Sequence, residues 1–283
     1  MDIKIAIAYH KPSILLQQKH FLPIQVGKAL SDQRLPIQGD DEGDNISSKN
    51  PRYCELTALY WLWKNTTADY KGLMHYRRIF TERNSFLFFR TLLRLKYKER
   101  QLASLWSPYR SMGVKKQYTC TDEEEFQRYA NDFSAHLEGL LGNSTNMLVP
   151  HPGRFYISIR QFIYQHASKL FIDLLDEIVQ KSFPKIYPSY KKSLDGQRLY
   201  NCNMSVMDNA SFDEYCNFVF TVLAQHEEEI VSRGIIKSCS EKTYSRVPGY
   251  LGELLTNAYI IYSIHRRKKI KVLPVLFLDN VSQ

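Results

Sequence analysis

The sequence predicts an α/β protein with a central, mostly parallel sheet and helices on both of its faces. Apolar runs of strand length alternate along the chain with longer stretches of helical periodicity, the pattern of repeated β-α-β units. The first run, Ile3 to Ala8, is mostly apolar and rich in isoleucine, as strands buried on both faces are. Another run, Gly72 to Met74, opens directly into His75-Tyr76-Arg77-Arg78. Ligands of open α/β sheets sit at C-terminal strand ends, and two adjacent arginines there call for a phosphate or a carboxylate.

The remaining elements follow in order. Pro12 and its polar neighbours read as a loop, and Gly27 to Leu30 as a short helix or turn. Gly39 to Asn50 is a polar loop. Tyr53 to Lys64 reads as a helix, because Leu56, Leu59, Tyr60 and Trp63 recur at i, i+3, i+4 and i+7, and Pro51 suits a first turn. The Gly72 strand comes next, then a basic, aromatic insertion from Arg83 to Tyr118. Asp122 to Leu141 reads as a helix with an acidic first turn and Thr121 placed to cap it. Asn146 to Val149 is a short strand stopped by Pro150. Gln161 to Lys181 reads as one helix, with Phe162, Leu170, Leu174, Leu175 and Ile178 on its core face. Leu199 to Met207 is a strand, Phe212 to about Ile230 a helix, Gly249 to His265 the last long helix, and Ile270 to Leu278 a final strand. A chain of 283 residues, 44% hydrophobic and 24% charged, is large enough for one domain over 1–283, with 83–118 inserted in it.

The formal charge of +9 is concentrated in that insertion. Between Arg83 and Lys116 nine basic residues accompany a single acid, Glu99, so the segment carries +8. The basic character belongs to one segment and no recognised nucleic-acid motif accompanies it, so nucleic acid is not an expected partner. Arg90, Arg94 and Lys98 fall at i, i+4 and i+8, and Phe88, Leu92 and Leu95 at i, i+4 and i+7. Those spacings suit a helix lying on an anionic membrane surface; a plain surface helix pair covering a core edge is the alternative. The five cysteines, Cys54, Cys120, Cys202, Cys216 and Cys239, are widely spaced without a C-x-x-C. That argues against a zinc site or a disulfide framework and suits a reducing cytoplasm. The N-terminal apolar run is short and contains Lys4, unlike a signal peptide, and no apolar run is long enough to span a bilayer.

Several motifs carry candidate chemistry, each with a plainer reading beside it. His75, Tyr76, Arg77 and Arg78 can bind an anion; a solvated or acid-paired strand end is the plainer reading. Gly39-Asp40-Asp41-Glu42-Gly43-Asp44-Asn45-Ile46-Ser47 can hold sugar or ribose hydroxyls or a divalent cation, or it is an exposed acidic turn. Glu55 in Tyr53-Cys54-Glu55-Leu56-Thr57 favours the dipole of the helix it opens, and Cys54 reads as a small buried residue. Asn203 can bond a hydroxylated ligand or serve as a turn amide. Arg246, Gly249 and Glu253 open the last long helix, where Glu253 can face a site or pair on the surface. His136, His226 and His265 form no ligand spacing. No G-x-x-x-x-G-K-[ST], G-x-S-x-G, or G-x-G-x-x-G after the first strand occurs, which weakens ATPase, hydrolase and dehydrogenase readings.

Taken in order, these segments resemble a bacterial family of capsule and exopolysaccharide gene clusters, catalogued as a domain of unknown function and treated as glycosyltransferases. The matching landmarks are Pro23 to Gly27, Gly39-Asp40-Asp41 with Gly43 to Ser47, Tyr53 to Thr57 running into Tyr60-Trp61, and Gly72 to Arg78. Asn203-Met204, Phe212 to Cys216, and Arg246 with Gly249-Tyr250-Leu251 and Glu253 continue the match. The resemblance implies a GT-A-like single-domain fold, a nucleotide-sugar donor, UDP-linked, with galactofuranose as one candidate sugar, and a growing lipid-linked glycan as acceptor. Many GT-A enzymes hold a divalent metal on an Asp-x-Asp at a central strand end, and here His75-Tyr76-Arg77-Arg78 takes that place. No metal site and no required cofactor are therefore expected, with manganese or magnesium on Asp40 and Asp41 as the alternative.

On this resemblance the donor is expected at His10, Asp40, Asp41, Asp44, Asn45, His75, Tyr76, Arg77 and Arg78. The acceptor is expected at Tyr164, His166, Asn203 and Arg246, and the catalytic base is one of Glu253, Asp44 and Asp208. The expected location is cytoplasmic, peripheral on the inner face of the cytoplasmic membrane. The alternatives are a non-catalytic nucleic-acid- or phosphate-binding protein and a sugar-phosphate-processing enzyme.

Overall fold

A computed structural model describes residues 1–82, 117–142, 144–165, 168–200, 202–235 and 246–279. The expected amphipathic stripe of Arg90, Arg94 and Lys98 and the acceptor candidate His166 lie outside these residues. In chain order the elements that matter are β1 (Ile3–Tyr9), β2 (Phe21–Gln25), β3 (Gln38–Gly39), α1 (Asn50–Tyr53), α2 (Leu56–Asn65), β4 (Tyr70–His75), β5 (Arg78–Phe80) and β6 (Gln117–Cys120). They continue with α3 (Glu123–Leu141), β7 (Met147–Pro150), β8 (Gly153–Arg154), α4 (Ile159–Tyr164), α5 (Lys169–Ser182), α6 (Tyr187–Asp195), β9 (Arg198–Leu199), β10 (Ser205–Asp208), α7 (Asn209–Ser232), α8 (Val247–His265), β11 (Ile270–Leu273) and β12 (Val275–Leu278).

The sheet runs β11-β7-β10-β4-β1-β2-β3, with β5, β6 and β12 joined beyond β4. β1 pairs in parallel with β2 and β4, β2 with β3, β7 with β11 and β6 with β12. The antiparallel β10 separates β4 from β7. The architecture is mixed α/β with a central, largely parallel sheet flanked by helices, as the alternation of segments predicts.

The period of two along each strand divides the core into two layers. Ile3, Ile5, Ile7 and Tyr9 of β1 face one cluster, with Phe126, Phe133 and Leu137 of α3. Ala6 and Ala8 face the other, with Leu56 and Leu59 of α2, Phe212 and Val219 of α7, and Leu251 and Leu255 of α8. Bulky residues meet the single helix, and small ones lie on the side that carries α2, α7 and α8. Gly72 of β4 sits opposite Val206 of β10, where an added Cβ would lie 2.5 Å from the Ser205 carbonyl oxygen. Only a glycine permits that approach.

Several boundaries differ from expectation, each for a local reason. The helix expected from Tyr53 to Lys64 is two helices, broken at Cys54 with φ 52°. Asn50 Nδ2 donates to the Cys54 carbonyl at 2.8 Å and supports the kink. Asp122, not Thr121, caps α3, because its carboxylate accepts from the amides of Glu124 and Glu125. The expected helix over Gln161 to Lys181 is split into α4 and α5. Ser158 forms a capping box with Gln161 at the start of α4. The break resets the helical phase and leaves Leu170 exposed, while Leu174, Leu175 and Ile178 are buried.

The strand expected over Leu199 to Met207 is interrupted by a turn in which Cys202 and Asn203 both have positive φ. Pro274 divides the last strand into β11 and β12, which pair with different neighbours. β2 escapes the sequence reading because Pro23 lies within it, and β3 begins opposite Ile24 so that the proline sits at an edge. Among the described residues no helix is long and apolar enough to cross a membrane.

Candidate active site

From β1 the chain steps to β2 and β3 on one side, then returns to place β4 on the other. The loops leaving β1 and β4 therefore diverge, and the C-terminal ends of these strands open a crevice. A cleft of about 690 Å³ lies there. His10 follows β1 and His75 ends β4, with Ala8 and His75 in register. Tyr9 is directly before His10, and Val26 of the cleft wall follows β2.

The cationic wall comes from a tight hairpin. His75 pairs with Arg78 across a two-residue turn of Tyr76 and Arg77. Tyr76 is buried, its ring 5.6 Å from Tyr9 and 5.2 Å from His10, so it packs the hairpin against β1. The guanidinium carbons of Arg77 and Arg78 each lie 4.9 Å from the centroid of Phe277, which spaces and orients them. Arg77 Nε donates to the Leu278 carbonyl at 2.9 Å, and its Nη2 lies 3.7 Å from Asp279. Arg78 Nε is buried without a hydrogen-bond partner among the described residues. Lys11 and Arg246 complete a set of four permanent cations around the cleft, against two carboxylates, Glu55 and Glu253. Burial, and after it the charges of Lys11, His75, Arg77 and Arg246, hold His10 below the usual imidazole range. A site that disfavours one more proton is a site prepared for an anion.

The two carboxylates flank the turn between β9 and β10. The Cys202 amide donates to Glu253 Oε1 at 2.8 Å, and the Cys202 carbonyl lies 2.7 Å from His75 Nε2. A carbonyl only accepts, so His75 carries its proton on Nε2 in this contact. Asn203 Nδ2 donates to Glu55 Oε1 at 2.9 Å. Burial, then the charge of Glu55, raises the Cys54 thiol, which lowers its nucleophilicity at neutral pH.

The structure gathers His10, His75, Tyr76, Arg77, Arg78, Arg246 and Glu253 of the expected residues at one cleft. Others lie elsewhere. Asp208 is a correction: it pairs with Tyr70 at the opposite end of β4, caps α7 through the Ser211 amide, and accepts from Asn146. No acceptor at the cleft can reach it. Asp40 is fully buried and accepts from the amides of Gly27 and Lys28 and from the Ser47 hydroxyl, so it ties a loop together instead of meeting a donor. Asp41 lies 3.5 Å from Lys28 and 3.7 Å from Arg34. Asp44 is exposed and accepts from Tyr60, and Asn45 donates to the carbonyls of Asp41 and Gly43. None of the four lines the cleft.

Asn203 is fully buried with both amide atoms engaged, so it stands beneath the cleft and not on it. Tyr164 donates to Asp173 on the α5 side of the molecule. The cleft adds Lys11, Glu55 and Phe277. Lys11 beside His10 and Glu55 inside Tyr53 to Thr57 stand next to residues already singled out. Phe277 has no sequence signal, being one apolar residue in a late strand. Among the described residues no three His, Cys, Asp or Glu side chains converge as a metal site.

A solved apo structure of the bifunctional glycosyltransferase WbbM matches with a TM-score of 0.76 and 29% identity, covering 99% of this chain. This chain spans 46% of that protein's length. The expected GT-A-like architecture thus has a solved glycosyltransferase as its counterpart. No curated protein matches the chain. The family model described as "Domain of unknown function (DUF4422)" matches residues 4–265, and the chain belongs to that family.

Proposed function

We propose that this chain is a glycosyltransferase that moves a sugar from a nucleotide-sugar donor, UDP-linked, onto a growing lipid-linked surface polysaccharide. The observation that carries the reading is the cleft at the switch point of the sheet, where four cations and two histidines surround two carboxylates. Its size suits a nucleotide-sugar. The likeness to a bifunctional glycosyltransferase across nearly the whole chain supports it.

In this reading Arg77, Arg78, Lys11 and Arg246 hold the diphosphate and stabilise the negative charge that develops as it leaves. His10 and His75 contact the same group or a sugar hydroxyl. A cleft carboxylate removes the acceptor's proton. Side chains supply the charge neutralisation, since Asp40 and Asp41, the acids considered for a metal, are engaged by Gly27, Lys28 and Ser47 and do not line the cleft.

The test is incubation of the purified protein with a panel of nucleotide sugars, following the melting temperature and free nucleoside diphosphate. One donor is expected to raise the melting temperature and to release its diphosphate. Release of inorganic phosphate instead would point to a sugar-phosphate-processing enzyme, and no response to any donor would reject the assignment.

A further inference from the structure

Two acids reach the cleft, and their surroundings differ. Glu253 accepts the Cys202 amide and has further interactions, so it serves to anchor the turn. Glu55 is held through one oxygen, Oε1, by Asn203. Its other oxygen, Oε2, makes no hydrogen bond among the described residues and is not sealed in the interior. Glu55 is one of the residues that line the cleft.

The grip on Oε1 is a relay through the buried core. Asn203 Oδ1 lies 2.9 Å from Thr256 Oγ1, which also lies 2.8 Å from the Gly252 carbonyl. The single Thr256 proton serves these acceptors, so Tyr215, 2.7 Å away, is the donor to Thr256. A carboxylate accepts only, so the Asn203 amide must turn its NH₂ to Glu55. Asn203, Thr256 and Tyr215 are all fully buried. Asn203 also holds φ 52° directly after Cys202 at φ 68°. Two successive left-handed residues, neither a glycine, are kept only where the surroundings over-determine them, and they cluster at working sites.

We propose that Glu55 is the general base of the transfer and that Asn203 is its positioning residue; the inference rests on the glycosyltransferase reading above. An acceptor hydroxyl oxygen forms the new bond to the anomeric carbon with a lone pair. The bond from that carbon to the diphosphate oxygen breaks, and its electron pair leaves on the nucleoside diphosphate. The hydroxyl proton moves to Glu55 Oε2 and then to solvent. Glu253 keeps Cys202 in place, and through the Cys202 carbonyl it keeps His75 oriented.

The variants Glu55→Gln, Glu253→Gln and Asn203→Asp are isosteric and test the roles with the whole chain. UDP affinity is measured by calorimetry, and turnover as UDP released from UDP-sugars to water or acceptor. Glu55→Gln is expected to lower kcat by about 10²–10⁴-fold, the usual contribution of a general base, with UDP affinity kept and the acid limb of the kcat–pH profile gone. Glu253→Gln keeps an acceptor for the Cys202 amide, so it lowers kcat by less and retains that limb. Asn203→Asp sets two acids against each other and is expected to lower kcat with little change in UDP affinity. Asn203→Gly, which suits the left-handed backbone, is expected to do the same. If wild type transfers sugar while Glu55→Gln keeps its turnover, or Glu253→Gln is the variant that loses the acid limb, the assignment of Glu55 is wrong and the glycosyltransferase reading stands. Normal kcat in both Asn203 variants overturns the positioning role. A wild type that neither binds UDP nor releases it from any UDP-sugar overturns both readings.

Discussion

Arg77 and Arg78 are neighbours in sequence with different commitments. Arg77 already donates to the Leu278 carbonyl and faces Asp279, whereas Arg78 Nε has no partner among the described residues. Arg78→Ala is therefore expected to weaken UDP binding more than Arg77→Ala. Loss of a hydrogen bond to a charged group costs about 1.5–3 kcal/mol, roughly 10- to 150-fold in Kd. Calorimetric titration with UDP checks the order, and equal, negligible losses would remove both from the diphosphate. Asp40 is the contrasting case, since its three partners belong to the protein. Asp40→Asn strands one donor and is expected to cost about 1–3 kcal/mol of stability. The melting temperature is expected to fall by several degrees, and an unchanged value would contradict the role of Asp40 as a loop tie.

At the scale of elements, α7 packs on α5 through a histidine. His226 of α7 is buried and lies 2.9 Å from the Phe171 carbonyl of α5, and burial pushes its imidazole down to about 4. The folded state thus holds His226 neutral where an unfolded chain, titrating near about 6.5, gains a proton. Its contribution is fully present above about pH 6.5 and is lost as pH falls toward 4, amounting to about 2 kcal/mol by pH 5. Denaturant melts from pH 7 to pH 5 are expected to show this loss, and His226→Gln to flatten it. A wild-type stability independent of pH over that range would exclude the effect. The basic segment within 83–118 is a second element-scale case, whose expected membrane contact lies outside the described residues. Its charge of +8 predicts co-sedimentation with anionic vesicles that falls with salt and with Arg90→Glu, Arg94→Glu and Lys98→Glu together. Wild-type protein left in the supernatant at low salt would refute it.

For the molecule as a whole, the position of β4 across β1 from β2 creates the crevice, and the two core layers hold those strands rigid beneath it. A cleft that carries its own cations predicts that transfer survives EDTA. Complete loss of turnover in EDTA, restored by manganese or magnesium, would show that a metal is needed.

The α/β class is legible in the sequence, because strand and helix periods are local properties of side-chain order. The cationic end of β4 is legible too, since His75 to Arg78 are contiguous and sit where the strand stops. Which acid meets that end depends on long-range contacts. Asp40, Asp44, Asp208, Glu55 and Glu253 look alike along the chain, and the fold turns the first inward, leaves the second on a surface loop and sends the third to the opposite end of β4. Glu55 and Asn203 lie 148 positions apart, and Arg77 and Leu278 201 apart, so their contacts leave no local trace. The break at Cys202 was equally hidden, because its positive φ is held by His75 and Glu253 from distant segments, whereas the kink at Cys54 rests on the nearby Asn50 side chain.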